Sequence, residues 1–268
     1  MCPPDLYEVD YVINPWMEGQ VHKASRHVAE LQWRALFDLL EPLANIHLIA
    51  PAEGSPDMVF TANAGLEREG KVVVSSFAFQ QRQAEENHFA RWFGEGGFAV
   101  TQAPRDTPFE GEGDALFSTD GQLLFVGQGP RSGSAILPLL RSTWNIEVCP
   151  LTLVDPRFYH LDTCFAPLPK GELLWFPEAF DRVTRDRVEL AFEPEKRIAV
   201  STEDALRFAC NAVTIGETII LNRISAALEA DLTARGYRVL QTELSEFLKA
   251  GGAAKCLVMK LSRAPVRA

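Results

Sequence analysis

Four stretches of this 268-residue sequence share one layout: "AGLEREGKVVVSSF" (64–77), "ALFSTDGQLLFVG" (115–127), "CFAPLPKGELLWFP" (164–177) and "NAVTIGETIIL" (211–221). Each is a short apolar run, a polar turn containing glycine, and a second β-rich run, the pattern of a hairpin. The turn glycines, Gly70, Gly121, Gly171 and Gly216, follow one another at intervals of 51, 50 and 45 residues. A unit repeated at a near-constant interval constrains the fold more tightly than any compositional figure.

The segments after the hairpins repeat as well. Helix-like stretches at 80–94, 131–143 and 224–235 lead to short strands read in "GFAVTQAP", "NIEVCPLTL", "KRIAVST" and "YRVLQTEL". Near the N-terminus, residues 24, 28, 31, 35 and 39 are apolar or small at a helical period, which predicts a helix over 23–41. "NIHLIAP" follows it as another such strand, making five helix-plus-strand units. A fifth hairpin is expected from "KCLVMKL" pairing with the N-terminal "YVINP", which would close a ring. The expectation is therefore a single domain over residues 1–268: a closed five-bladed α/β propeller with helices outside and a site on the central axis. A doubly wound sheet also fits the alternation. It explains neither the spacing nor the lack of a glycine-rich phosphate loop.

Composition narrows the function classes. With 47% hydrophobic and 23% charged residues the chain reads as an ordinary globular protein. It has no apolar stretch of membrane-spanning length. The opening "MCPPDLYEVDYVINPWM" lacks the layout of a signal peptide, so a cytoplasmic location is expected. A formal charge of −10 argues against a nucleic-acid partner, because phosphate binding needs a basic face. Cys2, Cys149, Cys164, Cys210 and Cys256 are odd in number and dispersed, with no Cys/His cluster, so neither a disulfide framework nor a structural zinc is expected.

If five units surround an axis, one phase of the repeat faces one shared cavity. The residues at the start of each hairpin are Asn63, Asp114, Asp162, Asn211 and Cys256, with Asp57, Glu110, Glu112 and His160 close by in sequence. Taken singly, Asp and Asn at strand starts are turn formers, a lone buried Cys is a small hydrophobe, and His160 is a core histidine. Taken at one phase, they bring a thiol, an imidazole and several carboxylates together. The other four cysteines read as structural. Gly251-Gly252 gives the loop before Cys256 a backbone that can approach a ligand closely.

At "PDMVFTAN", "FEGEGDALF", "YHLDT" and "GGAAKC" the sequence resembles the guanidine-modifying enzymes of the pentein superfamily, over essentially the whole chain. These include arginine deiminases, dimethylarginine dimethylaminohydrolases, amidinotransferases and arginine dihydrolases. The resemblance implies a Cys256 nucleophile, a His160 general acid/base, Glu110 orienting His160, and Asp162 gripping the guanidinium. It implies that Arg82 and Arg131 hold the substrate α-carboxylate and that Asn14 lies near the substrate. Asp114, at the shared phase, joins the substrate-binding candidates. Such chemistry suits cysteine: a guanidinium carbon is a poor electrophile with poor leaving groups, so a thiolate must attack and an acid must protonate the departing nitrogen. No metal or organic cofactor is implied, and the expected partner is a small guanidino compound, arginine or methylated arginine. Oligomeric state is left open.

One position departs from the wider pattern. Deiminases and dimethylargininases usually carry an acid where this chain has Asn63. A carboxylate only accepts hydrogen bonds from a guanidinium, whereas an amide both donates and accepts and can hold a neutral ureido group afterwards. "MVFTANAGL" therefore looks like the dihydrolase branch, which takes arginine to ornithine, carbon dioxide and two ammonia. The alternatives are a dimethylargininase, a deiminase, an amidinotransferase needing an amine acceptor, and a non-catalytic binding propeller. The dihydrolase branch includes proteins fused to a larger C-terminal region; with the sequence ending at Ala268, that further function is expected to be missing.

Overall fold

The four repeated hairpins each form the first two strands of a separate three-stranded sheet. These come from a computed structural model that describes residues 1–266. The first sheet pairs β1 (Gly65–Arg68) with β2 (Lys71–Val74) antiparallel, and β2 with β3 (Ala99–Gln102) parallel. The same arrangement recurs in β4 (Ala115–Phe117), β5 (Leu123–Gln128) and β6 (Glu147–Thr152). It recurs again in β7 (Phe165–Pro167), β8 (Leu173–Trp175) and β9 (Arg197–Ala199). The last sheet holds β10 (Val213–Ile215), β11 (Thr218–Leu221) and β12 (Arg238–Gln241).

Local chemistry explains the repeat. The middle strand of each sheet is the most apolar, and Val72, Val73, Val74, Ile219, Ile220 and Leu221 are wholly buried, as expected for a strand covered on both faces. The hairpin turn needs a left-handed backbone, which Gly70, Gly121, Gly171 and Gly216 all adopt. A parallel third strand needs a crossover. Helices Glu85–Glu95, Leu137–Trp144, Arg182–Ala191 and Ala226–Ala234 supply it. Phe89 and Phe93 of the first of these pack with Val72, Val74 and Phe77 in one apolar cluster. The N-terminal helix spans Arg26–Leu40, with the Ser25 hydroxyl accepting from the Val28 N–H at its start.

The expected fifth sheet is not formed. Each of the four sheets has three strands and none is closed, and "NIHLIAP", "KCLVMKL" and "YVINP" contain no strand. The backbone of these segments is committed elsewhere. Val258 N–H turns back to the Lys255 carbonyl, the Cys256 carbonyl accepts from Ala62 N–H, and Ile49 N–H binds the Met1 carbonyl. The Leu257 and Ile13 carbonyls accept from the Thr61 hydroxyl and the Arg131 guanidinium. With those groups occupied, no ladder can form. Tyr7, Val9, Leu36, Phe60, Phe247 and Leu257 instead hold the two chain ends together through a shared apolar cluster.

Before three of the hairpins the chain makes a 3-10 turn, at Thr61–Ala64, Gly111–Gly113 and Leu161–Thr163. These turns, Asn211 and Cys256 are linked in a circuit. Asn63 Nδ2 donates to the Glu110 carbonyl, and Leu161 N–H donates to Asp114 Oδ1. Asn211 Nδ2 donates to the Asp162 carbonyl, and Cys256 N–H donates to Asn211 Oδ1. The Ala62 N–H bond to the Cys256 carbonyl returns the circuit to its start. Among the described residues no helix is long and apolar enough to cross a membrane.

Candidate active site

Asn63 and Cys256 of that circuit line a small cavity together with Asn14, Asp57, Arg82, Arg131, Tyr159, His160 and Gly252, with Ile13, Met17 and Phe60 as apolar wall. Seven residues singled out from sequence thus meet at one place, although they are spread from position 14 to position 256.

His160 Nε2 lies 2.7 Å from Glu110 Oε2. The same carboxylate oxygen accepts from Arg131 Nη1 at 2.9 Å. Burial pushes the Glu110 carboxyl up, but the Arg131 guanidinium and the His160 bond outweigh it and hold it at about 2. Ionised at any working pH, Glu110 can only accept, so His160 carries its proton on Nε2 and is left with Nδ1 to exchange protons. Arg131 is fixed in turn: its guanidinium lies 4.6 Å from the ring centres of both Phe79 and Tyr159, and Nη2 donates to the Ile13 carbonyl. It sits in the loop after β5, well ahead of the helix that follows.

Cys256 is 2% exposed. Its Sγ lies 3.5 Å from Asp162 Oδ2 and 3.1 Å from Asn211 Nδ2. Burial, and then the neighbouring Asp162, push the thiol well above its usual range. Burial also raises the Asp162 carboxyl; Lys255 and the bonds from Cys256 and Asn211 pull it back only to about 7. Asp162 lines a second, more open cavity together with Lys255 and Glu112, while its Oδ2 stays beside the Cys256 sulfur. Lys255 Nζ and Glu112 Oε2 pair at 2.6 Å there, so Glu112 stands outside the ring of cavity residues.

Arg82 lines the cavity with Glu85 on its Nε (2.9 Å) and Nη2 (2.7 Å), and donates through Nη1 to Asn63 Oδ1 at 2.9 Å. Asn63 therefore spends one acceptor site on Arg82 and one N–H on the Glu110 carbonyl, keeping one of each for the cavity. Asp57 accepts from the Tyr11 hydroxyl at Oδ2, while its buried Oδ1 has no hydrogen-bond partner among the described residues. Asn14 caps the 3-10 turn Pro15–Met17 through Oδ1 and donates to the Ala250 carbonyl.

Asp114, like Glu110 and Asp162, is not part of the cavity lining, and it touches neither the thiol nor the imidazole through a hydrogen bond. Its Oδ2 accepts from Ser132 at 2.6 Å and its Oδ1 from Leu161 N–H, so it braces the turn carrying His160 and Asp162. Tyr159 was not singled out from the sequence, and Asn211 was given no role there. Tyr159 both stacks on Arg131 and donates to the Gly251 carbonyl; its place beside His160 in "YHLDT" was the available signal. Asn211 stood out only as a strand start, yet it touches the thiol.

A family profile described as eukaryotic N,N-dimethylarginine dimethylhydrolase matches residues 16–263. The chain is 51% identical over 267 residues to a bifunctional arginine dihydrolase/ornithine cyclodeaminase of Nostoc, covering 100% of this chain and 38% of that protein. It thus spans well under half the length of that relative. It is 34% identical to the N(G),N(G)-dimethylarginine dimethylaminohydrolase of Mycobacterium tuberculosis, over 97% of this chain and 84% of that one. Among solved structures, the substrate-bound N-terminal domain of ArgZ, a cyanobacterial arginine dihydrolase with a cysteine-to-serine substitution, matches with a TM-score of 0.96 at 51% identity. That match covers 97% of this chain and 96% of that one. Profile and relatives agree over nearly the whole sequence: the chain belongs to the dimethylarginine dimethylhydrolase family of guanidine-modifying enzymes.

Proposed function

We propose that this protein is a cysteine-dependent guanidino hydrolase of the arginine dihydrolase type, converting arginine and two waters to ornithine, carbon dioxide and two ammonia. The observation that carries the reading is Asn63: an amide, with one free N–H and one free acceptor site, lines the same buried cavity as Cys256 and His160. Support also comes from relatives. In ArgZ, a cysteine-to-serine mutant is bound to substrate and an asparagine-to-serine mutant to a covalent intermediate. The two mutated positions are separated by the same number of residues as Asn63 and Cys256 in this chain.

The arrangement suggests how the reaction runs. The guanidinium enters against ionised Asp162 and brings the positive charge that the raised Cys256 thiol lacks at rest; the thiol proton passes to His160 Nδ1 and the thiolate forms beside the guanidinium. Sγ attacks the guanidinium carbon, His160 protonates one terminal nitrogen, and the carbon–nitrogen bond breaks to release ammonia. Water, deprotonated by His160, then attacks the thiouronium carbon and the carbon–sulfur bond breaks, leaving a ureido group. In a second cycle the thiolate displaces the remaining terminal nitrogen as ammonia. Hydrolysis of the resulting thiocarbamate gives a carbamate, which loses carbon dioxide to leave ornithine. Glu110 holds His160 in one tautomer and stabilises its protonated form. Arg82 and Arg131 take the α-carboxylate, and the unpartnered Asp57 Oδ1 takes the α-ammonium.

We also propose that the four sheets and the irregular unit carrying Cys256 stand around one axis as a five-bladed propeller. The closed hydrogen-bond circuit through Asn63, Asp114, Asp162, Asn211 and Cys256 supports it.

The family profile favours a second reading, dimethylarginine hydrolysis. Incubation with arginine, dimethylarginine, citrulline and agmatine separates the two. The dihydrolase reading expects ornithine from arginine and no methylamine release; methylamines from dimethylarginine with arginine untouched would replace it. Cys256→Ser should abolish whichever activity is found, and an active variant would refute the covalent route.

A further inference from the structure

We propose that Asn211 is a catalytic residue that holds the ionised Cys256 sulfur, its Nδ2–H donating to Sγ while its Oδ1 pins the backbone of the nucleophile loop. The proposal rests on Cys256 being the nucleophile of the reaction above.

The orientation of this amide is not ambiguous. On one side it meets two backbone donors, Ala253 N–H at 3.2 Å and Cys256 N–H at 3.1 Å, which only an oxygen can accept. On the other side stand the Asp162 carbonyl at 3.2 Å and Cys256 Sγ at 3.1 Å, so the nitrogen must face the sulfur. Asn211 has no solvent exposure, and its own carbonyl accepts from Lys255 N–H at 3.2 Å. It is held in place by a tight turn in which its N–H binds the carbonyl of Phe208, a residue in the left-handed region.

Among the described residues only two side chains lie within hydrogen-bonding reach of Sγ, and they act oppositely once the proton leaves. Asp162 can accept from a thiol but repels a thiolate. The Asn211 N–H is the fixed side-chain donor that a thiolate needs, and hydrogen bonds to charged groups are the strong ones. The same amide also ties the Asp162 backbone to the Cys256 backbone, so the sulfur and the group that grips the guanidinium are set at one spacing.

Asn211→Asp tests this. It keeps an oxygen for the two backbone N–H groups and replaces the donor to sulfur with an acceptor. Iodoacetamide labelling of the Cys256 peptide, without arginine, should be about tenfold slower at neutral pH, the effect of raising the thiol by one pH unit. Turnover of arginine should fall about 10- to 100-fold in kcat with KM within about threefold. A labelling rate equal to the parent's, or a loss confined to KM or to melting temperature, would overturn the proposal. If Asn211→Asp does not fold, Asn211→Ser is read by the same two outcomes. In the parent labelled with 15N-asparagine, one side-chain amide pair should shift when Cys256 is alkylated, and no shift would also overturn it. Labelling does not need arginine. A parent that labels as expected but leaves arginine intact would therefore count against the proposed reaction and not against Asn211.

Discussion

Asp162 and Glu110 are both buried carboxylates, and their neighbours drive them apart. Glu110 has a guanidinium and an imidazole on one oxygen and stays at about 2. Asp162 has burial as its largest influence, with Lys255 acting against it, and sits at about 7. A protonated Asp162 cannot pair with a cationic guanidinium, so substrate capture should strengthen as the proton leaves. The expected result is that kcat/KM for arginine rises with pH through about 7, and a flat profile there would remove Asp162 from the binding step. At the opposite wall, Asn63→Asp keeps the shape and replaces the amide's free N–H with an acceptor. The variant should still bind a guanidinium but hold a ureido group poorly, so citrulline should accumulate. Ornithine formed at the parental rate would contradict the role given to Asn63.

The turns before the hairpins do the positioning, and their sequence requirements are strict. Gly111 opens the 3-10 turn after Glu110 at φ +61°, and a Cβ there would lie 2.6 Å from the Gly65 carbonyl and 2.7 Å from its nitrogen. Gly111→Ala combines a left-handed penalty with a backbone clash, for a cost of roughly 2–4 kcal/mol. A thermal melt checks it, and an unchanged midpoint would mean that this turn is not closely packed against Gly65. Gly252 is constrained by side-chain packing in the nucleophile loop, where a Cβ would stand 2.5 Å from Phe60 Cε1. The four hairpins were legible because turn chemistry and strand composition repeat locally. The irregular path of 255–261 was not. Its apolar residues read as a strand, but its backbone partners, Thr61, Ala62 and Lys255 itself, are set by tertiary contact and by a local turn.

At the scale of the whole molecule, the site depends on residues far apart in sequence meeting around one cavity. The repeat phase was enough to bring Asn63, Asp162 and Cys256 together on paper, and the same phase drew in Asp114, which braces a turn instead. Phase identifies which strand ends converge; it does not say which side chains are already satisfied by a neighbour, as Asp114 is by Ser132 and Leu161. Arg82 and Arg131 were legible only through resemblance, since nothing local distinguishes an arginine clamped by Glu85 or stacked between Phe79 and Tyr159 from one on a surface. On the proposed reaction, one cavity removes both terminal nitrogens of arginine. Arginine labelled with 13C in the guanidino carbon tests it directly by NMR. The label should leave as carbon dioxide or bicarbonate, with ornithine and two ammonia formed for each arginine consumed. Label retained in citrulline, with one ammonia per arginine, would contradict it.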